Sequence, residues 1–173
     1  MAIVIEDAVE ADLQGMLAIY NDVILHSTAV YTDAPETLAQ RETWWRQRRA
    51  QGYSVLVARD TADVLGFASF GDFRPAWPGY RFTVEHSVYV RFDCQRAGTG
   101  TALMQLLLAR ATDLGKHAIL GGIDAENATS IRFHERLGFE QVARFRQVGS
   151  AMTTISTMPP YHRWPATGVK TWA

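Results

Sequence analysis

The order of β-type and helical segments is the feature that most restricts how this chain can fold. Three consecutive segments have the residue pattern of β-strands: 53–59, 64–73 and 81–90. Helical and strand patterns then alternate: a helix over 100–114, a strand over 117–123, a helix over 128–137 and a strand over 140–148. A strand at 2–6 and two helices precede them all. This order predicts an α/β domain with a mixed central β-sheet flanked by helices.

The composition is that of one ordinary globular domain. The chain has 173 residues, a net charge of -1 and 47% hydrophobic residues. A nearly neutral chain lacks the basic surface of a protein that binds nucleic acid or an anionic membrane. Cys94 is the single cysteine, so no disulfide forms within the chain. We therefore expect no nucleic-acid or membrane partner, no targeting segment, and a reducing cytoplasm as the location.

The most informative segment joins the strand over 81–90 to the helix that begins at Gly100. It carries Gly98 and Gly100, which let the main chain approach a ligand closely. Unpaired N–H groups at the start of a helix attract phosphate oxygens, so residues 95–101 are a candidate cradle for a diphosphate. A tight turn that simply needs glycine explains the two residues equally well. The segment lacks the Gly-x-Gly-x-x-Gly pattern of dinucleotide-binding folds.

Two motifs resemble the GCN5-related N-acetyltransferase (GNAT) family. Gln95-x-x-Gly98-x-Gly100 is similar to the acetyl-coenzyme A signature of that family, and the stretch 127–139, ending in Leu-Gly-Phe, is similar to its next helix. The resemblance extends over 2–148 and implies the GNAT fold, acetyl-CoA as co-substrate and no metal. It implies the following cofactor-binding residues: Val88, Tyr89, Val90, Gln95, Arg96, Ala97, Gly98, Thr99, Gly100, Thr101, Asn127 and Ser130.

Three further stretches resemble the phosphinothricin and methionine sulfoximine acetyltransferase branch of the family: 19–21, 71–75 and 83–90. This branch acetylates the α-amino group of small amino acids that carry a tetrahedral phosphorus or sulfur group, and it implies a homodimer. An acceptor with a carboxylate and a second polar head suits arginine, which binds such groups bidentately. The resemblance implies the following residues for binding the amine acceptor: Tyr31, Arg74, Pro75, Arg81, Glu85, His86 and Ser87.

Acetyl transfer to an amine makes three chemical demands, and the resemblance implies a residue for each. An ammonium group must lose a proton, and Glu85, an acid inside an apolar strand, would act as the general base. The Val88 N–H would polarise the thioester carbonyl and stabilise the oxyanion of a tetrahedral intermediate. His134 occupies the position at which many family members have Tyr, and it would protonate the departing thiolate.

These side chains also have ordinary structural interpretations, which the sequence leaves open. His86 lies on the opposite face of its strand from Glu85 and would line the acceptor pocket only if the strand bulges. The other structural interpretations are an edge-strand charge for Glu85, a core histidine for His86, a surface histidine for His134, a helix N-cap for Asn127, and solvated loop arginines for Arg74 and Arg81.

The chain departs from the branch after Gln147-Val148-Gly149, where a Trp-x-Asp strand is expected and is missing or replaced. We therefore predict an acetyltransferase domain over 1–148 and an atypical, irregular segment over 149–173. An altered reading frame near the end of the gene is one hypothesis for this departure. Two other functions stay open: acetylation of another amine, such as a polyamine or a protein N-terminus, and binding of acyl-CoA without catalysis.

Overall fold

The computed structural model describes residues 3–32, 34–61, 63–95, 98–145 and 153–158. The helices are α1 (Leu13–His26), α2 (Leu38–Ala50), α3 (Thr99–Asp113) and α4 (Ala128–Arg136). The strands are β1 (Val4–Asp7), β2 (Val55–Asp60), β3 (Asp63–Asp72), β4 (Thr83–Val90), β5 (Ala118–Asp124), β6 (Glu140–Phe145) and β7 (Thr153–Met158). No helix in these ranges is both long enough and apolar enough to span a bilayer.

The strands form one mixed sheet in the order β1-β2-β3-β4-β5-β7-β6. β4 and β5 are parallel, because α3 carries the chain back to the end of the sheet at which β4 begins. The other neighbouring strands are antiparallel. The predicted hairpin of β2 and β3 is present, with Asp60 opposite Asp63. The predicted α/β fold with a mixed sheet is therefore confirmed.

Helix α2 begins with a capping box formed by Thr37 and Gln40. The Thr37 hydroxyl accepts a hydrogen bond from the Gln40 N–H, and the Gln40 side chain accepts one from the Thr37 N–H at 2.7 Å. Asp7 and Glu10, whose spacing is that of a capping box before α1, do not form one. Asp12 accepts from the Val9 N–H at 2.7 Å instead and is ion-paired with Arg59, so α1 is anchored to β2.

The two faces of the sheet carry separate hydrophobic cores. On one face, Phe67 packs with Met16 of α1 and Trp45 of α2. On the other, Val84 and Phe70 pack with Leu103 of α3. We call these the α1/α2 face and the α3/α4 face. Along β4 the side chains alternate between them. Glu85, Ser87 and Tyr89 point to the α1/α2 face, and Val84, His86, Val88 and Val90 point to the α3/α4 face.

β4 and β5 separate after a short paired segment. Their register runs from Thr83 opposite Ala118 to Glu85 opposite Leu120, and beyond that point β5 pairs with β7 alone. β4 nevertheless continues to Val90, paired with β3 throughout. The sheet therefore has a V-shaped gap between the C-terminal halves of its two parallel strands.

The segment after residue 148 differs in part from the prediction. Residues 153–158 form β7, which lies between β5 and β6, so an irregular structure was the wrong prediction for these six residues. The segment 153–158 contains three Thr and one Ile, which are β-branched residues that suit a strand, and its backbone occupies a place in the sheet without a Trp-x-Asp motif. The predicted domain boundary at 148 lies outside the described residues, as do 159–173.

Candidate active site

The start of α3 presents main-chain N–H groups that the helix does not use. Gly98 is the N-cap and has φ of 86°, a left-handed conformation that glycine adopts without strain. The first intrahelical bond runs from Ala102 N–H to the Gly98 carbonyl, so the N–H groups of residues 99–101 have no acceptor within the helix. In the described part of the chain no side chain caps them, and the buried Thr99 hydroxyl has no partner either. This end of α3 is suited to an anionic group.

Two of the predicted cofactor-binding residues, Arg96 and Ala97, lie outside the described residues. Gln95 directs its side-chain amide toward the Val90 carbonyl at 3.5 Å, which ties the loop to the end of β4. Gly100 packs under Phe133 of α4, because a Cβ there would already lie 3.4 Å from the Phe133 ring. The loop therefore contacts β4 on one side and α4 on the other.

The main chain of β4 lines the gap between β4 and β5. Phe73 N–H donates to the Thr83 carbonyl and Arg91 N–H donates to the Leu65 carbonyl, so the odd-numbered residues of β4 exchange hydrogen bonds with β3. The N–H and C=O groups of even-numbered residues then point to the other edge. The Val88 N–H therefore faces the gap that β5 has left.

Glu85 is the last residue of β4 that pairs with β5, and its side chain projects from the α1/α2 face. Its carboxylate reaches over β5, since a Cβ added to Gly122 would lie 3.1 Å from Glu85 Oε1. The side chain is exposed, yet the surrounding protein displaces enough water to raise the pKa of Glu85 above its ordinary value. The carboxyl group is thus at the start of the gap, with a raised pKa, where a base for an amine could act.

His86 is buried on the opposite face, so the sequence expectation that it lines the acceptor pocket through a bulge is not met. β3 and β4 pair with a regular register at this position. Its ring stacks on His134 of α4 with centroids 5.1 Å apart and lies 5.3 Å from Phe139. Neither ring nitrogen has a partner among the described residues, and burial lowers the pKa of His86 to about 3.

His134 is buried as well and is held in one tautomer. Its Nδ1 lies 2.7 Å from the Ser130 carbonyl, which can only accept, so Nδ1 carries the proton and Nε2 presents its lone pair. Burial lowers the pKa of His134, so the ring is neutral at pH 7. A neutral ring with this tautomer cannot donate from Nε2. This differs from the sequence expectation of a proton donor, which assumed the ordinary histidine pKa.

Asn127 and Ser130 build the start of α4. Asn127 Oδ1 accepts from the Ser130 N–H at 2.9 Å, so the N-cap interpretation of Asn127 holds. The Ser130 hydroxyl lies 3.4 Å from His134 Nδ1. Both residues therefore position the helix that carries His134, and the Asn127 amide N–H₂ is not needed for the cap.

The residues expected to bind the acceptor lie in two places: the connection between β3 and β4, and the α1/α2 face of β4. Arg74, Pro75 and Arg81 belong to the exposed β3–β4 connection, where Arg81 stacks on Phe82 at 4.4 Å. Arg74 has φ of 50°, which is uncommon for a residue other than glycine, and its guanidinium lies 5.5 Å from the Phe73 ring. Ser87 projects beside Glu85 on the α1/α2 face.

Tyr31 lies at the far end of the same face, in the connection between α1 and α2. It hydrogen-bonds to Asp124 at the end of β5, as do Thr28 and the Glu126 N–H. Burial alone would raise the pKa of Asp124, but these hydrogen bonds hold it below its usual range. Asp124 is not among the residues that the sequence pattern singles out. An acid that ends a buried strand was the available signal, and only the fold shows that it ties this loop to β5.

No cluster of three potential metal ligands exists in the described ranges. The Cys94 thiol points to Asp93 at 3.4 Å, and its pKa is raised by burial, so nothing activates it as a nucleophile. The groups near the gap that could take part in acid–base or oxyanion chemistry are Glu85, His134 and the main-chain N–H groups.

Several known proteins are similar to this chain in sequence and in fold. Residues 16–139 match the acetyltransferase (GNAT) family. L-methionine sulfoximine/L-methionine sulfone acetyltransferase of Pseudomonas paraeruginosa is 49% identical over 150 residues, which are 86% of this chain and 87% of that protein. The structure of yncA from Salmonella typhimurium, with its cofactor acetyl-CoA, has a TM-score of 0.90 and 37% identity, covering 97% of this chain and 100% of that one. A phosphinothricin acetyltransferase of Sinorhizobium meliloti in complex with acetyl-CoA has a TM-score of 0.88 and 31% identity, over 92% and 89% of the two chains.

Proposed function

Since this chain belongs to the acetyltransferase (GNAT) family, we propose that it acetylates the α-amino group of a small amino acid of the methionine sulfoximine, methionine sulfone or phosphinothricin type. The protein is an N-acetyltransferase, and its acetyl donor is acetyl-CoA. The observation that supports the proposal best is the gap between β4 and β5, which brings the Val88 N–H and the Glu85 carboxylate to one opening of the sheet.

The residues around this gap fit acetyl-CoA. The N–H groups at the start of α3 and the Thr99 hydroxyl, for which the described residues supply no partner, match the acceptor oxygens of a diphosphate. The edge of β4 that faces the gap can pair with the amides of an extended pantetheine arm, as an added strand would. Residues 88–90, Gln95, Gly98–Thr101 and Asn127 would hold the group, which supplies the acetyl thioester.

Glu85 accepts the proton that makes the attacking amine neutral. Its raised pKa brings the carboxylate closer to the working pH, which favours proton transfer from an ammonium group. The Val88 N–H donates a hydrogen bond to the carbonyl oxygen on which negative charge develops. Because this N–H is fixed by the β3–β4 ladder, it needs no reorganisation during the reaction.

His134 handles the second proton in this proposal. Two protons leave the acceptor nitrogen in all: one is taken up by Glu85 and released to water, and the other ends on the departing thiolate. Neutral His134 can take that second proton at Nε2 and pass it to the thiolate, which restores the starting tautomer. The role is therefore a shuttle instead of the simple acid that the sequence predicts.

Replacing His134 by Phe is expected to lower kcat by about tenfold at pH 7, less than the 10²–10⁴ typical of acid–base groups, because a thiolate with a pKa of about 8.5 can leave without a proton. Phe is chosen because it keeps an aromatic ring at the position where His134 packs against His86 and Phe139. Stopped-flow measurement of thiol release, with thermal unfolding as the control, checks this. An unchanged kcat would remove His134 from the mechanism.

The acceptor would lie on the α1/α2 face between Glu85, Ser87, Tyr31 and the β3–β4 connection. Arg74 would bind its polar head: the strained backbone of Arg74 is the kind of outlier that functional sites retain.

Acetylation of the α-amino group would inactivate a toxic amino-acid analogue and so give resistance. A homodimer in the cytoplasm is part of the same proposal, and light scattering after gel filtration tests the dimer.

The function is tested by thiol release from acetyl-CoA over a panel of amines. We expect turnover with methionine sulfoximine, methionine sulfone or phosphinothricin, and little with a polyamine or a protein N-terminus. Turnover confined to the other amines would overturn the proposed substrate class. Binding of acetyl-CoA in calorimetry with no turnover of any amine would overturn catalysis as a whole.

A further inference from the structure

A guanidinium group occupies the space above Gly71, on the face of the sheet where Glu85 lies. Arg48, in the last turn of α2, packs so closely on Gly71 that a Cβ added there would overlap its Nη1, Cζ and Nη2 atoms. Any residue other than glycine at 71 would push the Arg48 side chain away. The absence of a side chain at 71 thus creates the place that this cation occupies.

Gly71 stands directly across the β3–β4 ladder from Glu85. Hydrogen-bonded partners in an antiparallel pair have Cα atoms about 5.5 Å apart and side chains on the same face. The Arg48 guanidinium therefore lies about one strand spacing from the base of the Glu85 side chain. An α-amino acid carries its carboxylate two bonds from its amine nitrogen, so one small molecule can reach both groups.

Arg48 has hydrogen-bonding capacity left in this position. Its Nη1 donates to the Gln51 side chain at 3.1 Å, its Nε is buried without a partner among the described residues, and no carboxylate there lies within ion-pair distance. The nearby Asp72 contacts Tyr53 and Lys116. Burial lowers the pKa of Arg48, as expected for a partly desolvated cation.

Arg41, a fully buried arginine of α2, differs from Arg48 in that its charge is already neutralised within the protein. Arg41 is ion-paired with Glu36 at 2.5 Å and enclosed by the rings of Tyr20 and Trp44, 4.0 and 4.6 Å from its Cζ atom. Its charge is already balanced inside the core. Arg48 is half-buried over Gly71 and has no carboxylate partner among the described residues, so it is the one of the two that can still receive an anion.

We propose that Arg48 binds the α-carboxylate of the acceptor and so makes the enzyme selective for amino acids over simple amines. The inference rests on the proposed function. Bidentate contact with a planar carboxylate would place the α-amino group next to Glu85 and leave the side-chain head to Arg74. Gly71 serves this role indirectly, because it keeps the space that the guanidinium needs.

The test compares two acceptors that differ only in the carboxylate: methionine sulfone and 3-(methylsulfonyl)propylamine. Wild-type enzyme should prefer the amino acid. Arg48→Gln should lower kcat/KM for methionine sulfone about 10- to 100-fold, the loss typical of a charged hydrogen bond, and change the value for the propylamine less than about threefold. Arg48→Lys should restore part of the preference. Gly71→Ala should reproduce the selective loss by displacing the guanidinium, with Arg48 itself unchanged.

Arg46→Gln is the matched control, since Arg46 is an exposed arginine of the same helix paired with Glu42. It should leave both values unchanged, and acetyl-CoA affinity should be equal in all variants. An equal loss for both acceptors, or no loss for either, would overturn the role of Arg48 while the proposed function stands. If wild-type enzyme acetylates no amino acid, the proposed function fails first and this inference fails with it.

Discussion

Glu85→Gln is expected to lower kcat by about 100- to 1,000-fold and to leave the affinity for acetyl-CoA unchanged. The amide has nearly the same shape as the carboxyl group but cannot take a proton from the ammonium group, and a positioned base contributes about 10²–10⁴. The coenzyme contacts proposed here use the main chain of β4 and α3, and they do not involve the Glu85 side chain. Steady-state kinetics together with calorimetric titration of acetyl-CoA separates the two effects.

The pH dependence gives the same residue a second test. The ionised carboxylate is the active form, so kcat of the wild type should fall as pH decreases through the raised pKa of Glu85. This acid limb should begin at a higher pH than for an ordinary carboxyl group, and it should be absent from Glu85→Gln.

The stability of the variant has a defined sign. A raised pKa in the folded state means that ionised Glu85 costs stability as pH rises through that pKa. Glu85→Gln should therefore unfold at the same or a slightly higher temperature than wild type at pH 7, with the difference shrinking below the ordinary carboxyl pKa. A variant with a large loss of thermal stability, or with unchanged kcat, contradicts the role given to Glu85.

Gly121→Ala is expected to lower the melting temperature by about 3–10 °C and to weaken acetyl-CoA binding about tenfold. A Cβ at Gly121 would lie 2.7 Å from His86 Nε2, and the His86 ring is enclosed by His134 and Phe139, so it cannot simply move aside. Overpacking of this kind costs about 1–3 kcal/mol. Its relief requires β5 or α4 to shift, which changes the gap beside Val88.

Gly122→Ala is the matched control for this prediction. Its Cβ would point to the other face, where the one described atom within 4 Å is Oε1 of Glu85 at 3.1 Å, at the end of a side chain that can rotate away. We expect little change in melting temperature or coenzyme affinity. The double variant Gly121→Ala, His86→Ala should recover part of the coenzyme affinity, because the small side chain at 86 makes room for the new methyl group. If Gly121→Ala and Gly122→Ala change the melting temperature and the coenzyme affinity equally, contact with His86 does not control the width of the gap between β4 and β5.

Local patterns were sufficient for most of the secondary structure. Gly115 and Gly138 have φ of 67° and 89° and follow α3 and α4 as the sequence indicates, and Thr37 caps α2. The prediction failed where the signal was not local. Strand β7 lies in a segment with no clear alternation, and its identity as a strand depends on the free edges of β5 and β6.

The candidate site shows the same division. Glu85 and the segment 95–101 could be found from residue types in order along the chain. The role of His86 could not be assigned from its spacing. The two-residue period of a strand places His86 on the opposite face from Glu85, but it does not say which element covers that face. Arg48 and Asp124 were missed, since each meets its neighbours only after α2 and β5 have packed against distant parts of the chain.

The sequence by itself determined the order of elements up to β6, the ends of α3 and α4, the GNAT resemblance and the presence of an acid beside a candidate diphosphate-binding loop. These are encoded by contacts among residues near one another in the chain, where periodicity, caps and glycines act directly. Only the tertiary structure decided that β4 and β5 part after Glu85, that His134 is a buried neutral ring, and that Arg48 lies over Gly71. Position and burial at these sites depend on neighbours that are distant in the chain, such as Leu120 for Glu85, His86 for His134 and Gly71 for Arg48, and a single sequence carries no local signal for them.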